Sequence, residues 1–319
     1  MKKTASLILL VLGTSSCVPY IPSQMSSDNI ISQTYVHKYG IEMDGQEWIS
    51  RGKDGQILTT LTDGTRRISS YSKGILDGET TYTFPHSHII MRRDTYSEGT
   101  LVKSIYNTPA GTLQKEIFYI SPTSTKIKEY FDNSATKCIE EYEEEALVFG
   151  EYFDRDSKMC SCVNQGSGIR SVRDFYGHLE YRDMIENGEV IKKMTFYPSG
   201  TPKTETPYVN GLIEGTRKLF APTGEPEAIE TWSKNKREGI TILYQNGGII
   251  AEVPYSDGVK EGIELRYNDE RKVVEEISWS HGLRHGLTIT HIGDVRRTQW
   301  YYKGKPITKN HFDEMKTET

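Results

Sequence analysis

The sequence predicts an all-β protein, an elongated single-layer antiparallel sheet built of β-hairpin repeats of about 23 residues. Three observations predict it. Aromatic residues recur at nearly constant spacing, short segments between them alternate apolar and polar residues, and Asn-Gly or Asp-Gly pairs separate those segments. A period of two is that of a half-exposed strand. Asn-Gly and Asp-Gly favour tight hairpin turns, because both central residues can adopt positive φ.

The repeat is clearest in the carboxyl half, where Tyr208, Trp232, Tyr255, Trp279 and Tyr301 follow one another at intervals of 24, 23, 24 and 22 residues. The amino half keeps a similar interval, and the chain holds about eleven or twelve copies by this period. The predicted repeat aromatics are Trp48, Tyr71, Tyr96, Tyr119, Tyr142, Tyr208, Trp232, Tyr244, Tyr255, Tyr267, Trp279 and Tyr301. The predicted repeat-turn glycines are Gly74, Gly78, Gly211, Gly215, Gly239, Gly258, Gly262, Gly282 and Gly286.

One copy illustrates the physics of the unit. Ile263, Leu265 and Tyr267 alternate with Glu264 and Arg266, as in a strand with one face near water. A single hairpin is too small to be stable alone, so neighbouring copies have to stack. We expect the recurrent aromatics to stack from copy to copy and to form a thin core.

The unit Tyr-x-x-Gly-x-x-x-Gly-x-x-x-x-Tyr-x-x-x-Gly resembles the variant MORN repeat of bacterial proteins, over residues 48–304. The resemblance implies a single-layer antiparallel sheet used for scaffolding or protein binding, and it implies no catalytic residues. Some relatives of the variant class are antitoxin-like partners of secreted toxins. Residues 145–180 match the pattern poorly, and an insertion or an irregular break between two sub-arrays is expected there. Residues 305–319 are expected to form a tail. Lysine replaces the second glycine at Lys103, Lys126 and Lys192.

Composition narrows the function classes. The 319 residues include 20 Tyr and 4 Trp, which argues against a disordered chain. The formal net charge is -5. A chain without a basic excess lacks the usual electrostatic drive for nucleic-acid binding, so no nucleic-acid partner is expected.

The amino terminus predicts export. Lys2 and Lys3 precede the apolar run 7–12, and small residues then lead to Cys17. This is the pattern of a secretory signal peptide over residues 1–16. Cys17 resembles the acylated cysteine of bacterial lipoproteins, which implies a membrane anchor at Cys17, most often in the outer membrane. Residues 17–47 are then the lipidated terminus and a tether. A conventional signal-peptidase site is the alternative.

Three further cysteines raise the question of a disulfide. Cys138 is separated from Cys160 and Cys162 by about one repeat period, so adjacent hairpins would bring them near each other. A disulfide from Cys138 to either residue is one expectation, and three partly buried free thiols are the other. Cys160-x-Cys162 is not a zinc signature by itself, since a structural zinc site needs four ligands.

Other chemistry-bearing residues favour structural interpretations. His86 and His88 are expected on one face of a strand, and His281 and His285 beside a repeat turn; neither pair has partners at ligand spacing. The acidic run 140–145 is expected to form a solvated strand edge or short helix that blocks aggregation. The sequence has no Gly-x-Ser-x-Gly, Walker-type or His-Glu-x-x-His motif. No cofactor and no metal site are expected.

Three functional hypotheses follow. The first is a non-catalytic envelope lipoprotein whose repeat sheet binds or scaffolds another protein, since the array carries no catalytic constellation. The second is an antitoxin-like partner of a toxin, which only the resemblance implies. The third is a cell-wall enzyme whose site would lie in the irregular segment 145–180.

Overall fold

The computed structural model describes residues 30–317, which divide into two compact units, the first ending at Tyr119 and the second beginning at Ile120. The predicted signal peptide and Cys17 lie outside the described residues. No helix within residues 30–317 has both the length and the apolar character that a bilayer-spanning helix requires.

The first unit is an antiparallel sheet with one short helix. β1 pairs with β2 and β3, and each later strand pairs with the next along the chain. Asp44 caps the helix by accepting hydrogen bonds from two backbone amides of its first turn. The elements are β1 (Ile30–His37), β2 (Glu42–Met43), α1 (Gly45–Ser50), β3 (Gly55–Leu61), β4 (Arg66–Ser72), β5 (Ile75–Thr83), β6 (Ile90–Ser97), β7 (Thr100–Asn107) and β8 (Leu113–Tyr119).

The second unit continues the same plan. Its strands also pair antiparallel in chain order, and short strands at some hairpin tips are separate elements. The elements are β9 (Ser124–Tyr130), β10 (Thr136–Glu143), β11 (Ala146–Phe153), β12 (Met159–Asn164), β13 (Ser167–Arg173), β14 (Leu179–Glu186), β15 (Glu189–Phe196), β16 (Pro202–Val209), β17 (Leu212–Ile213), β18 (Gly215–Phe220), β19 (Pro226–Ser233), β20 (Lys236–Arg237), β21 (Gly239–Gln245), β22 (Gly248–Ser256), β23 (Val259–Lys260), β24 (Gly262–Tyr267), β25 (Val273–Ser280), β26 (Leu283–Ile292), β27 (Val295–Tyr302), β28 (Lys305–Ile307) and α2 (Lys309–Thr317).

The predicted all-β fold of antiparallel hairpins is therefore confirmed within each unit. All nine predicted turn glycines have positive φ. At the Asn210-Gly211 turn, φ is 50° and 74°, and at Asp257-Gly258 it is 52° and 86°. Positive φ at both central residues is the tight turn that matches the twist of the flanking strands, which is why these dipeptides mark the hairpins.

The second glycine of each repeat has two structural consequences. Gly239 lies directly across from Tyr255, and Gly262 across from Trp279, so a large ring faces the residue that has no side chain. The glycine also widens the bulge. On β4, Ser69 and Tyr71 are two residues apart, but their partners on β5, Thr80 and Leu76, are four residues apart. β5 therefore has two extra residues at this point.

Where lysine replaces this glycine, the bulge is smaller. On β6, Thr95 and Tyr96 are adjacent, while their partners on β7, Lys103 and Leu101, are two residues apart. β7 therefore has one extra residue at this point. The structure thus keeps the hairpin without the glycine by inserting one fewer residue in the bulge.

Acidic side chains tie successive turns together. The carboxylate of Glu238 accepts a hydrogen bond of 2.8 Å from the backbone amide of Asp257, and Glu214 accepts one of the same length from Lys234. The turn glycines themselves donate to carbonyls of the preceding hairpin, as Gly258 does to Arg237 at 2.9 Å. These contacts satisfy backbone groups that would otherwise depend on water.

Three predicted segments differ from expectation. Within the predicted tether 17–47, β1 and β2 are strands of the sheet. Within the predicted tail 305–319, β28 and α2 are regular elements, because α2 buries the ring of Phe312 against Trp300. Residues 145–180 contain β11, β12, β13 and the start of β14, paired without a break. Gln165 and Gly166 form the tight turn of this hairpin, with φ of 49° and 71°. Their spacing from neighbouring aromatic residues differs from that of the other copies, so the sequence pattern does not indicate this repeat.

Candidate functional site

Buried acidic residues lie two positions before three of the repeat aromatics, one of them in the first unit and two in the second. Asp94 precedes Tyr96 in this way, Glu140 precedes Tyr142, and Glu230 precedes Trp232. These three carboxylates are at most 5% exposed. Sequence reasoning missed these acids. The signal was weak, because the acids are about two and four repeat periods apart and apolar residues occupy the same position before Tyr255 and Trp279.

Glu140 is the centre of the most connected of these clusters. It accepts hydrogen bonds from the hydroxyls of Tyr142 at 2.7 Å and Tyr152 at 2.9 Å, and from the Arg170 guanidinium at 2.8 Å. Burial, and then the Glu140 charge, raise the pKa of both tyrosine hydroxyls well above its ordinary value. Both therefore stay protonated donors.

This cluster corrects the expectation for the acidic run 140–145. Glu140 is buried and paired, whereas Glu141 on the opposite face is only partly buried and contacts Lys126. Glu144 and Glu145 form the hairpin turn, with φ of 48° and 73°. Alternation along β10 separates the two faces, so adjacent glutamates have different environments.

Two further buried carboxylates are each held by two cations. Glu230 contacts Arg217 at 3.2 Å and Arg237 at 3.1 Å, and it also accepts a hydrogen bond from the Trp232 indole. Glu264, 2% exposed, contacts Lys260 at 2.7 Å and Arg266 at 2.8 Å. Burial alone would raise the pKa of Glu264, but the hydrogen bonds from the two cations lower it below its ordinary value. Glu264 is therefore held as a carboxylate, and each of the two acids contacts two cations.

The repeat aromatics of the carboxyl half alternate with these cations. Arg237 lies 5.8 Å from the ring centre of Trp232 and 5.1 Å from that of Tyr255. Lys260 lies 4.4 Å from Trp279. We call the complete series the cation–aromatic ladder: Arg217, Trp232, Arg237, Tyr255, Lys260, Trp279, Arg284 and Tyr301.

The ladder corrects the expectation that aromatics stack directly on one another. In this region Arg or Lys, two residues before the second glycine, pairs with the aromatic across the hairpin. Arg237, Lys260 and Arg284 thus lie between successive rings, whereas Arg217 lies on β18 beside Trp232. Direct ring contacts occur at the amino end, where Trp48 packs on Tyr35 and Tyr71. Trp48 itself lies on α1, not on a repeat strand.

A groove of about 790 Å³ opens beside the ladder in the second unit. Its apolar lining comes from small and aliphatic side chains such as Ala228, Leu243 and Ala251. Its charged lining has four acids and three bases: Glu227, Glu230, Glu264, Asp269, Arg237, Lys260 and Arg266. The groove therefore combines apolar side chains with fixed charged groups, and polar groups at fixed positions give a binding site its specificity.

The remaining predicted repeat aromatics lie on strands. Tyr267 lines the groove, while Tyr244 pairs with Ile249 beside a bulge between β21 and β22. The others lie on their expected hairpins: Tyr71 on β4, Tyr96 on β6, Tyr119 on β8, Tyr142 on β10 and Tyr208 on β16.

All three described cysteines are free thiols. Cys138 lies on β10 and Cys160 on β12, with β11 between them. Two strand spacings are about 9.5 Å, beyond the Cα separation of a disulfide. The predicted link between Cys138 and Cys160 or Cys162 is therefore absent, and burial raises the pKa of the Cys138 thiol.

The histidine pairs do not form ligand sets. His86 lies in the loop between β5 and β6, not on a strand, and its backbone amide bonds to Gly64. His281 lies in its turn, while the His285 ring packs against Tyr302 and Phe312. Within residues 30–317, no group of three His, Cys, Asp or Glu residues is placed to hold a metal ion.

A comparison with models of protein families gave no match, and a comparison with functionally curated proteins gave none either. The resemblance to the variant MORN repeat therefore stays a prediction that rests on the quoted residues.

Proposed function

We propose that this chain is a non-catalytic, lipid-anchored envelope protein whose repeat sheet binds an extended segment of another protein. The binding surface is the cation–aromatic ladder with its adjoining groove, and the bound segment carries carboxylates. The observation that carries the proposal is the regular alternation of Arg or Lys with Trp or Tyr beside a groove of about 790 Å³.

The residue types of the ladder support protein binding. Trp, Tyr and Arg dominate the energetics of protein–protein interfaces, because they combine a large apolar area with directed hydrogen bonds. The ladder side chains are also held in place by ion pairs and ring contacts before any partner arrives. Binding then costs less side-chain entropy than it would for free side chains.

The charges along the ladder support an acidic partner segment. The four ladder cations Arg217, Arg237, Lys260 and Arg284 outnumber the two buried acids that they contact. The groove lining itself has four acids and three bases, so the ladder and not the groove supplies the attraction for carboxylates. A guanidinium has five N–H donors and no acceptor. Arg237 and Arg284 therefore retain donors that a partner carboxylate can use.

A peptide-display selection tests this surface. The immobilised full chain is exposed to a library of random extended peptides, and we expect enrichment of peptides rich in Asp and Glu. The double variant Arg237→Gln, Lys260→Gln should weaken binding of a selected peptide about tenfold or more, as loss of charge-assisted hydrogen bonds predicts. The measurement is the Kd by calorimetry at two salt concentrations.

Lys236→Gln is the matched control. Lys236 neighbours Arg237 in sequence but is 56% exposed and pairs with Asp257 at the turn, outside the ladder. It should leave the Kd within about twofold, as exposed pairs contribute little. Enrichment of basic or purely apolar peptides, or equal losses in Lys236→Gln and the double variant, would refute the proposed surface.

The lipid anchor rests on the sequence pattern at Cys17 and is tested separately. The intact mass of protein purified from membranes should correspond to a chain beginning at Cys17 with added acyl groups. Cys17→Ala should lose that mass and leave the membrane fraction. An unacylated mature chain would refute the lipid anchor and indicate an exported protein without one. The proposed binding surface on the ladder would be unaffected by that result.

A further inference from the structure

Strand β12 carries three sulfur-containing side chains within four residues, in the sequence Met159-Cys160-Ser161-Cys162. The pairing with β11 passes from Tyr152↔Ser161 to Phe153↔Met159, so two residues of β12 oppose one residue of β11. Residues that pair directly across strands share a face, so Met159 lies on the face of Phe153, opposite to that of Tyr152 and Ser161. Cys160 neighbours Ser161 and therefore lies on the same face as Met159. The alternation of the strand adds Cys162 to this face.

Accessibility agrees with this register. Met159 is 49% exposed, and Cys160 and Cys162 are also exposed, whereas Val163 faces the core. On the other face, Tyr152 and Val163 belong to the apolar cluster that also holds Cys138. The bulge thus places three soft donor atoms together at the solvent and excludes the third thiol.

The strand geometry separates the two exposed thiols by a specific distance. Residues two apart on a strand have parallel side chains about 6.6 Å apart. A disulfide requires Cβ atoms about 3.5–4.5 Å apart and sulfurs about 2 Å apart. Two sulfurs bridged by a metal are about 4.6 Å apart if each metal–sulfur bond is about 2.3 Å. Small side-chain rotations reach the second arrangement but not the first.

We propose that Met159, Cys160 and Cys162 form a binding site for a soft monovalent metal ion, Cu(I). Two thiolates and a thioether are the ligands that Cu(I) prefers over hard cations. Each thiol releases its proton on binding, so the metal with two thiolates carries a charge of -1. Arg173, whose guanidinium lies 3.7 Å from the Cys160 sulfur, offsets that charge.

The same donors discriminate against zinc. Zinc in proteins takes four ligands of nitrogen, sulfur or carboxylate oxygen, and thioethers do not belong to that set. Around Cys162 the nearest such group by register is Glu151, directly opposite on β11. A zinc site would therefore depend on Glu151 and not on Met159, which makes the two metals distinguishable by mutation.

The test uses the full chain with Cys17→Ser, so that Cys17 contributes no sulfur. Cu(I) is titrated without oxygen against a chromogenic Cu(I) chelator. We expect one ion per chain, at least a 100-fold loss of affinity in Cys160→Ser or Cys162→Ser, and about a tenfold loss in Met159→Leu, in line with removal of direct ligands. X-ray absorption should show a shell of sulfur alone.

Two variants serve as controls. Met184→Leu removes another exposed methionine, 41% exposed on β14, and Cys138→Ala removes the buried thiol; both should bind Cu(I) as the parent chain does. The proposal fails if Met159→Leu binds as tightly as the parent. It also fails if zinc binds more tightly than Cu(I), with dependence on Glu151→Gln.

Discussion

Gly168→Ala is expected to lower the free energy of unfolding of the second unit by about 3 kcal/mol or more. Gly168 has φ of 145°, and a Cβ atom there would lie 2.3 Å from the backbone carbonyl oxygen of Cys162. The clashing atom belongs to the backbone of the paired strand β12, so no side-chain rotation relieves it. Either β12 and β13 separate, or the turn changes.

The control for this prediction isolates the cost of backbone conformation. Gly211→Ala keeps positive φ, at 74°, but an added Cβ meets no atom within 4 Å. It should cost only about 1–2 kcal/mol, the penalty of the left-handed region for a residue with a side chain. Thermal unfolding and backbone hydrogen exchange of β12 and β13 measure the difference. Equal losses in the two variants would show that the close backbone approach at Gly168 is incorrect.

Glu140→Ala is expected to destabilise the second unit by about 3–5 kcal/mol, the range for breaking a buried ion pair from one side. The substitution leaves Arg170 without its closest carboxylate, and it removes the acceptor of the Tyr142 and Tyr152 hydroxyls. Tyr152 is 1% exposed, so water does not readily replace that acceptor.

Glu141→Ala provides a neighbouring control of the same residue type. Glu141 and Lys126 are 40% and 34% exposed, so their ion pair should contribute less than about 1 kcal/mol. The double variant Glu140→Leu, Arg170→Met should recover part of the loss, since apolar residues of similar size can replace a buried pair. Urea unfolding followed by tryptophan fluorescence compares the variants. A Glu140→Ala variant as stable as Glu141→Ala would contradict the buried cluster.

The candidate site was only half visible in the sequence. Trp232, Tyr255, Trp279 and Tyr301 were predicted from their spacing, but Arg237 and Lys260 between them were not. Arg and Lys are common on exposed strands, so their recurrence two residues before a glycine carries little weight until the hairpin pairing is known. The buried acids precede aromatics in only some copies, and a one-dimensional pattern does not state which face of a thin sheet is covered.

The sequence by itself determined the fold class and the places where the chain turns. Period-two alternation selects strands, and Gly211 or Gly258 after Asn or Asp selects tight turns, because both are properties of a residue and its immediate neighbours. Tertiary structure alone decided the environment of each polar side chain. Glu140 and Glu141 are chemically alike, and Cys138 and Cys160 are one period apart, but strand register buries one glutamate and puts β11 between the two thiols. Register depends on pairing between distant residues, and local sequence does not contain that information.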